Sequence, residues 1–279
     1  MQISVIVALA LRNLRRQVRR TLLTALAIIL GAGMLVFANA LGDGTHEQWI
    51  DDGVRAGSGH VTIEHPAFRV SRKLEDRLAA DVRAAAEGAL ATPALADRIT
   101  GVSAQLTING MASSAAGARP AQILAVDPQA EIDFTILDEQ VIEGRYLQSD
   151  DRLAAFVGVG LMETLNLRLG SRLVLTAQDA DKEIAGQLVR VVGVFRNGAP
   201  PVDNAVVHIP LAVAGEWLGS GSDVSNIAVM VEDSTEVSSL VRDLRQALAD
   251  PLDAGLATVL SWREAMPALA SLVAVDQYG

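Results

Sequence analysis

The run Thr21 to Leu41, TLLTALAIILGAGMLVFANAL, carries no charged residue, and an uncharged run of that length leaves a chain few ways to fold. At 1.5 Å rise per residue, a helix needs about 20 apolar residues to cross a hydrocarbon core about 30 Å thick. A core helix of a soluble protein is rarely apolar on every face. Arg12, Arg15, Arg16, Arg19 and Arg20 stand before it, and Asp43, Glu47, Asp51 and Asp52 follow it. By the positive-inside rule the N-terminus is then cytoplasmic and residues from about 42 onward lie outside. Two other readings compete with the retained anchor. One is a signal peptide, because Ala38-Asn39-Ala40 has the small-x-small form of a cleavage site, although the apolar run exceeds the usual h-region of about 7–15 residues. The other is a buried helix. Gly31 and Gly33, with Ala25, Ala27 and Ala32, would let a neighbouring helix approach closely, though no GxxxG pair is present.

Charge separates the two sides of this run. Five of the 23 basic residues lie within the first 20 positions, leaving 18 against 33 acidic residues, a net of −15, in the remainder. An outer part so acidic excludes nucleic acid as its partner. The 279 residues leave, beyond the anchor, enough chain for one large or two small domains. No cysteine is present, so disulfides, thiolate nucleophiles and cysteine metal sites are absent, and stability outside must come from a sizeable core.

Residues 1–20 read as a cytoplasmic basic segment in which Ile3, Val7, Ala10, Leu11 and Leu14 repeat at helical spacing, as an amphipathic helix on the inner membrane face would. An orienting basic flank is the equal alternative. After the span at 21–41, a stalk over 42–58 continues through Trp49 and Ile50 until Gly53, Gly57 and Gly59 break it. His60 to His65 then alternates as a strand ended by Pro66, and Leu74, Leu78, Val82, Ala85 and Ala89 mark one face of a helix. Ile99 to Ile108 is a second strand, after which Asn109-Gly110 opens an expected long, mobile, exposed tip through Pro120, and Gln122 to Val126 is a third. Residues 127–218 read as a β-rich unit: strands at 153–159, 172–176, 188–195 and 205–209, a short helix at 161–167, and a hairpin tip AQDADKEIAG. Asn226 to Val231 is a strand. Asp233, with Glu236 three residues on, caps a helix whose buried stripe is Val237, Leu240, Val241, Leu244 and Leu248. Pro251 is expected to end it before a strand at 257–260. The fold class is therefore α+β, in which two β-α-β halves, 59–126 and 219–265, flank the inserted unit, with both helices on one sheet face.

Most candidate chemistry fails on physical grounds. Val157-Gly158-Val159-Gly160 sits between a strand and a helix as a dinucleotide fingerprint would, but Glu163 occupies the third glycine position, where a carboxylate repels pyrophosphate. His60, Thr62 and Glu64 share one strand face and His65 the other, so the strand histidines cannot chelate one ion; with His46 and His208 they read as solvated or hydrogen-bonded. The acid pairs Asp51/Asp52, Asp138/Glu139 and Asp150/Asp151 read as solvated turn charges. No nucleophile elbow and no Walker A sequence is present. Catalytic, cofactor-binding and metal-binding residues are accordingly expected to be none, and any ATP must be bound by another chain.

Several stretches in order, ALRNLRRQVRRTLLTALAIILGAGM, LGDGTHEQWIDDG, SGHVTIEHP, ILAVDPQAE, VIEGRYL, FVGVGLMETLNLRLGSRLVL, VVGVF and VLSWREAMPAL, resemble ABC transporter permeases of the MacB, FtsX and lipoprotein-releasing LolC/LolE class along essentially the whole chain. The resemblance implies a four-helix inner-membrane permease whose periplasmic domain lies between its first two membrane helices. That domain would be a porter-like part split by a Sabre-like β-rich insertion at 127–218, with residues 266–279 returning toward a second membrane helix beyond Gly279. It implies a homo- or heterodimer, a separate cytoplasmic ATPase, and a lipophilic substrate such as a lipoprotein moved by mechanotransmission along stalk helices. The tip Gln178 to Gly186 is short and charged, unlike the longer proline-bearing hook with which LolC-type subunits recruit a carrier, so a LolE-like or uncharacterised permease fits better. A different class of function is an FtsX-like scaffold that activates a cell-wall hydrolase through the tip at Met111 to Pro120; a secreted binding domain released after Ala40 is a third.

Overall fold

The computed structural model describes residues 17–54, 59–268 and 270–271, the side chains of 38–53 and 133 excepted. The chain forms two compact units, residues 1–52 and 53–279. The first contains helix α1 (Val18–Gly53), 36 residues without interruption. Its stretch Val18–Phe37 has a mean hydropathy of 2.0 with no part buried, which makes it long and apolar enough to cross a membrane. Leu22, Ile29, Met34 and Phe37 all stand exposed, so its apolar character is not that of a core helix. The helix runs on to Gly53. The amphipathic segment at Ile3 to Leu14, residues 55–58 of the stalk and residues 272–279 of the return segment lie outside the described residues.

The second unit is mixed α/β. Strand β1 (Val61–Glu64) follows the stalk, and short helices α2 (Phe68–Ser71), α3 (Ala80–Leu90) and α4 (Pro93–Ala96) lead to strand β2 (Ile99–Ser114). Near the end of the chain come β9 (Asn226–Val231), α9 (Val237–Ala247), α10 (Ala249–Asp253), β10 (Thr258–Ser261) and α11 (Trp262–Ala265). In space these strands take the order β10-β1-β9-β2, every neighbouring pair antiparallel. Strand β9 therefore lies between β1 and β2, and β1 lies between β9 and β10. Helices α3 and α9 touch each other, and α9 also packs on β10.

Local sequence accounts for these helices. Asp233 accepts the Thr235 N–H at 2.8 Å and caps the 3-10 turn Ser234–Glu236 that leads into α9, whose stripe Val237, Leu240, Val241 and Leu244 is buried. Ser261 and Glu264 form a reciprocal capping box that turns β10 directly into α11. Two expectations change. The buried face of α3 is Val82, Ala86 and Leu90, with Ala85 exposed: Leu78 forms an isolated bridge with Val224, and the helix starts only at Ala80. Pro251 lies within α10 instead of ending a helix.

The remaining strands build a different object. β2 runs without interruption to Ser114, turns through Ala115 and Ala116, and pairs along ten positions with β3 (Gly117–Val126). The long mobile tip expected from Asn109-Gly110 is thus replaced by a tight hairpin, with Asn109 facing Gln122 in mid-ladder. Helix α5 (Pro128–Phe134), strands β4 (Val141–Gly144) and β5 (Ala154–Gly158), helix α6 (Val159–Thr164), strands β6 (Arg172–Gln178) and β7 (Ile184–Phe195), helix α7 (Pro200–Asp203), strand β8 (Val206–Pro210) and helix α8 (Leu211–Leu218) follow. β3 pairs with β8, β8 with β5, β5 with β7, β7 with β6, and β6 returns to β2 through Met111–Ser113. Six strands therefore close into a ring, which removes open edges. Its interior holds Leu106, Ile108, Ile123, Val157, Leu173, Leu175, Val189, Val191, Val207 and Ile209, all buried in one cluster. Alternation puts Phe156 and Val206 on the opposite face, with Phe195, Tyr146 and Leu147 in a second buried cluster. The β-rich part thus takes in residues 105–126 of the segment read as the first half, and β2 belongs to both.

Candidate functional site

The glycines of the abortive nucleotide fingerprint have a packing role. A Cβ on Gly158 would stand 2.4 Å from the Asp203 carbonyl oxygen, and one on Gly160 would stand 1.8 Å from Asn204 Oδ1. Their bareness admits the turn after α7 against the strand-to-helix junction. The acid pairs part company. Asp138 and Glu139 are exposed, whereas Asp151 receives a bidentate Arg145 (Nη1 and Nη2, both 2.7 Å) and the Gln148 N–H at 2.8 Å, so it is a structural anion and not a solvated one. The side chains of Asp51, Asp52 and His46 lie outside the described residues.

β1 is covered on both faces, and its ionisable groups are committed. His60 is buried and accepts the Val231 N–H through Nδ1 at 3.2 Å. His65 accepts the Ala67 N–H and stands 3.8 Å from Asp76. Glu64, 3% exposed, is held by Arg69 through Nε at 2.8 Å and Nη2 at 2.7 Å, and the same guanidinium donates to the Ala265 carbonyl at 2.6 Å. This pair ties β1 to α11 and was not anticipated from the sequence.

Two more buried ionisable groups lie near the aromatic cluster. Glu131 on α5 receives the Ser103 hydroxyl, and its Oε1 has no partner among the described residues. Burial pushes its carboxyl up to about 7, with Ser103 and Gln105 acting the other way. His208, stacked edge-on against Phe156 and Phe195, is pushed down to about 4 by burial. Tyr146 packs at 5.1 Å on Phe156, its hydroxyl also without a partner among the described residues; burial first, and then the carboxylates of Glu131, Asp138 and Asp127, raise its titration.

One surface feature has the form of a binding site. A cleft of about 330 Å³ lies between the segment 72–77, strand β2 at Thr107–Asn109 and the tip of the β6–β7 hairpin. A second hollow of about 230 Å³ shares Arg72, Thr107 and Asn109 with it and adds Phe68 and Gln122. Local geometry builds this place. Arg72 closes α2 in the left-handed region, φ 53°, with its N–H on the Phe68 carbonyl and its guanidinium 5.5 Å above the Phe68 ring. The chain then runs through Lys73 to Arg77 until Leu78 is fixed by its bridge to Val224.

Across the cleft, the hairpin tip is shorter than strands at 172–176 and 188–195 would leave it, because β6 extends to Gln178 and β7 begins at Ile184. Asp179 Oδ1 accepts the N–H groups of Asp181 and Glu183, both at 2.9 Å. Lys182 reaches over to Glu75 at 2.9 Å, and Lys73 meets the same carboxylate at 3.4 Å. Lys182 first and Lys73 second hold the Glu75 carboxyl below its usual range. Arg77 is different: its Nε and Nη1 are buried without an acceptor among the described residues, and burial lowers its proton affinity while Asp223 acts in the opposite sense.

Residues 21–247, more than half of the chain, match the family described as the MacB-like periplasmic core domain. Among solved structures, the extracellular domain of the noncanonic ABC-type transporter YknZ from Gram-positive bacteria is 18% identical, with a TM-score of 0.51 over 72% of this chain and 98% of that one. The periplasmic region of MacB from Actinobacillus actinomycetemcomitans is 15% identical, with a TM-score of 0.49 over 72% of this chain and 87% of that one. The likeness to the YknZ domain is one of fold.

Proposed function

Because the chain belongs to the family of MacB-like periplasmic core domains, we propose that it is part of an ABC transporter permease that works by mechanotransmission. Its N-terminus lies in the cytoplasm and its large unit on the periplasmic face of the inner membrane. ATP is hydrolysed by a separate subunit, and two permease chains act together to extract or export a lipophilic substrate such as a lipoprotein.

The observation that carries this reading is the continuity of α1. Its 36 residues extend about 54 Å at the helical rise, against about 30 Å of hydrocarbon. The surplus continues the membrane segment as helix, as a stalk that transmits movement from one side to the other would have to. The arginines before the span support the orientation.

Purification of the full-length protein from its own membranes is expected to bring down an ATPase whose turnover depends on the permease. Recovery without any ATPase would overturn the reading. A flexible glycine-serine insertion at residue 45 is expected to leave the ATPase bound while abolishing substrate release. Undiminished release from that variant would rule out transmission through the stalk.

A further inference from the structure

We propose that the cleft between Arg72–Arg77 and the β6–β7 tip is a binding site for a phosphate group, carried by a soluble phosphate ester or by a phospholipid headgroup. The argument begins with which charges are already used. Glu75 is matched by Lys182 and Lys73, and Asp179 is turned inward on the amides of its own loop. Neither carboxylate is left to neutralise the two guanidinia. Among the described residues Arg72 has no ion pair and no side-chain hydrogen bond, only the face of Phe68 beneath it. Arg77 lines the same cleft with Nε and Nη1 lacking any acceptor.

A buried guanidinium N–H without an acceptor is costly, and oxyanions are the ligands that guanidinium forks match best. Arg72 and Arg77 are two positive charges without an ion pair among the described residues, set against the single negative charge of Asp223, and they attract a phosphate monoester, which carries about −1.5 to −2 at pH 7. Asn109, Gln122, Gln178 and Thr107 add neutral polar groups around the same space, and Leu74 and Ala180 supply apolar wall. The site stands out because the chain after residue 20 is otherwise strongly acidic. Asp223 is the further carboxylate that acts on Arg77, and it forms no ion pair with it among the described residues.

The test uses the full chain in maltoside micelles, free of phospholipid, and isothermal titration with inorganic phosphate, glycerol 3-phosphate and dihexanoyl phosphatidic acid. Saturable binding of at least one probe is expected. Arg72→Gln and Arg77→Gln should each weaken it about tenfold or more, the size of a lost charge-assisted hydrogen bond. Arg168→Gln, exposed and outside the cleft, should leave it unchanged. Glu75→Gln should tighten it, because Lys73 and Lys182 are then released toward the ligand, a gain that a purely structural cleft would not give. Binding of glycerol 3-phosphate identifies a soluble ester as a sufficient ligand, and binding of the phosphatidic acid alone identifies a headgroup. No binding of any probe, or binding indifferent to both arginines, overturns the proposal. Arg72 is exposed, so its variant remains informative even if Arg77→Gln fails to fold. Success or failure here is independent of ATPase co-purification.

Discussion

Glu131 and His208 are displaced by burial in opposite directions, and the consequences for stability oppose each other. The Glu131 carboxyl titrates near 7 in the fold against a usual 4.5, so the stability it confers is full below 4.5 and is lost as pH rises to about 7. His208 titrates near 4 against a usual 6.5, so its contribution is present above 6.5 and is lost as pH falls to about 4. Between 4.5 and 6.5 the two slopes cancel. Urea melts of the parent protein should therefore vary little from these groups in that window. In Glu131→Gln, stability should rise with pH across 4 to 6.5 by roughly 3 kcal/mol; a profile that keeps the parent's shape would refute the assignment. The Glu64–Arg69 pair gives a second test. Arg69→Met strands a buried carboxylate and should cost about 3–5 kcal/mol, whereas Glu64→Leu with Arg69→Met should recover most of it. None of these roles was legible in the sequence. Alternation in His60 to His65 implies one covered face, but β1 lies between β9 and β10 and is buried on both; only its neighbours, far away in the chain, decide that.

At the scale of elements, what could be read from the sequence is what local chemistry decides. The stripe of α9 and the Asp233 cap follow from spacing alone, and both are found, the cap on the 3-10 turn that leads into α9. Glycine was the poorer guide, because the same residue serves turns and close approaches. Asn109-Gly110 has the composition of a hairpin turn. Yet a Cβ on Gly110 would stand 2.4 Å from the Thr176 carbonyl oxygen, so this glycine lets β6 come alongside β2. Gly158 is likewise a contact glycine, against backbone that cannot yield. Gly158→Ala should therefore destabilise by about 1–3 kcal/mol in thermal or urea melts, as overpacking does. Gly186→Ala, also in a strand but with open space around it, should be nearly neutral. Equal effects at the two positions would refute the packing role.

For the whole second unit, the consequential feature is that β2 serves two structures. Its first half pairs with β9 in the order β10-β1-β9-β2, and its second half closes the six-stranded ring. No linker intervenes, so this strand offers no hinge. Gly110→Val should open the β2–β6 seam, speeding amide exchange in β6 while β9 and β10 stay protected; uniform loss of protection would mean that the ring and the sheet unfold as one. The sequence could not show this sharing, because a strand's neighbours on its two edges leave no mark on its own periodicity. The same non-local pairing has a consequence for biosynthesis. β1 emerges early, but Val61 finds Val229 and Ser261 only after about 170 and 200 further residues, on the order of 10–40 s at ordinary rates of chain synthesis. During that wait β1 has two open edges, and Glu64, awkward in the finished core, is then a negative charge that discourages intermolecular strand pairing.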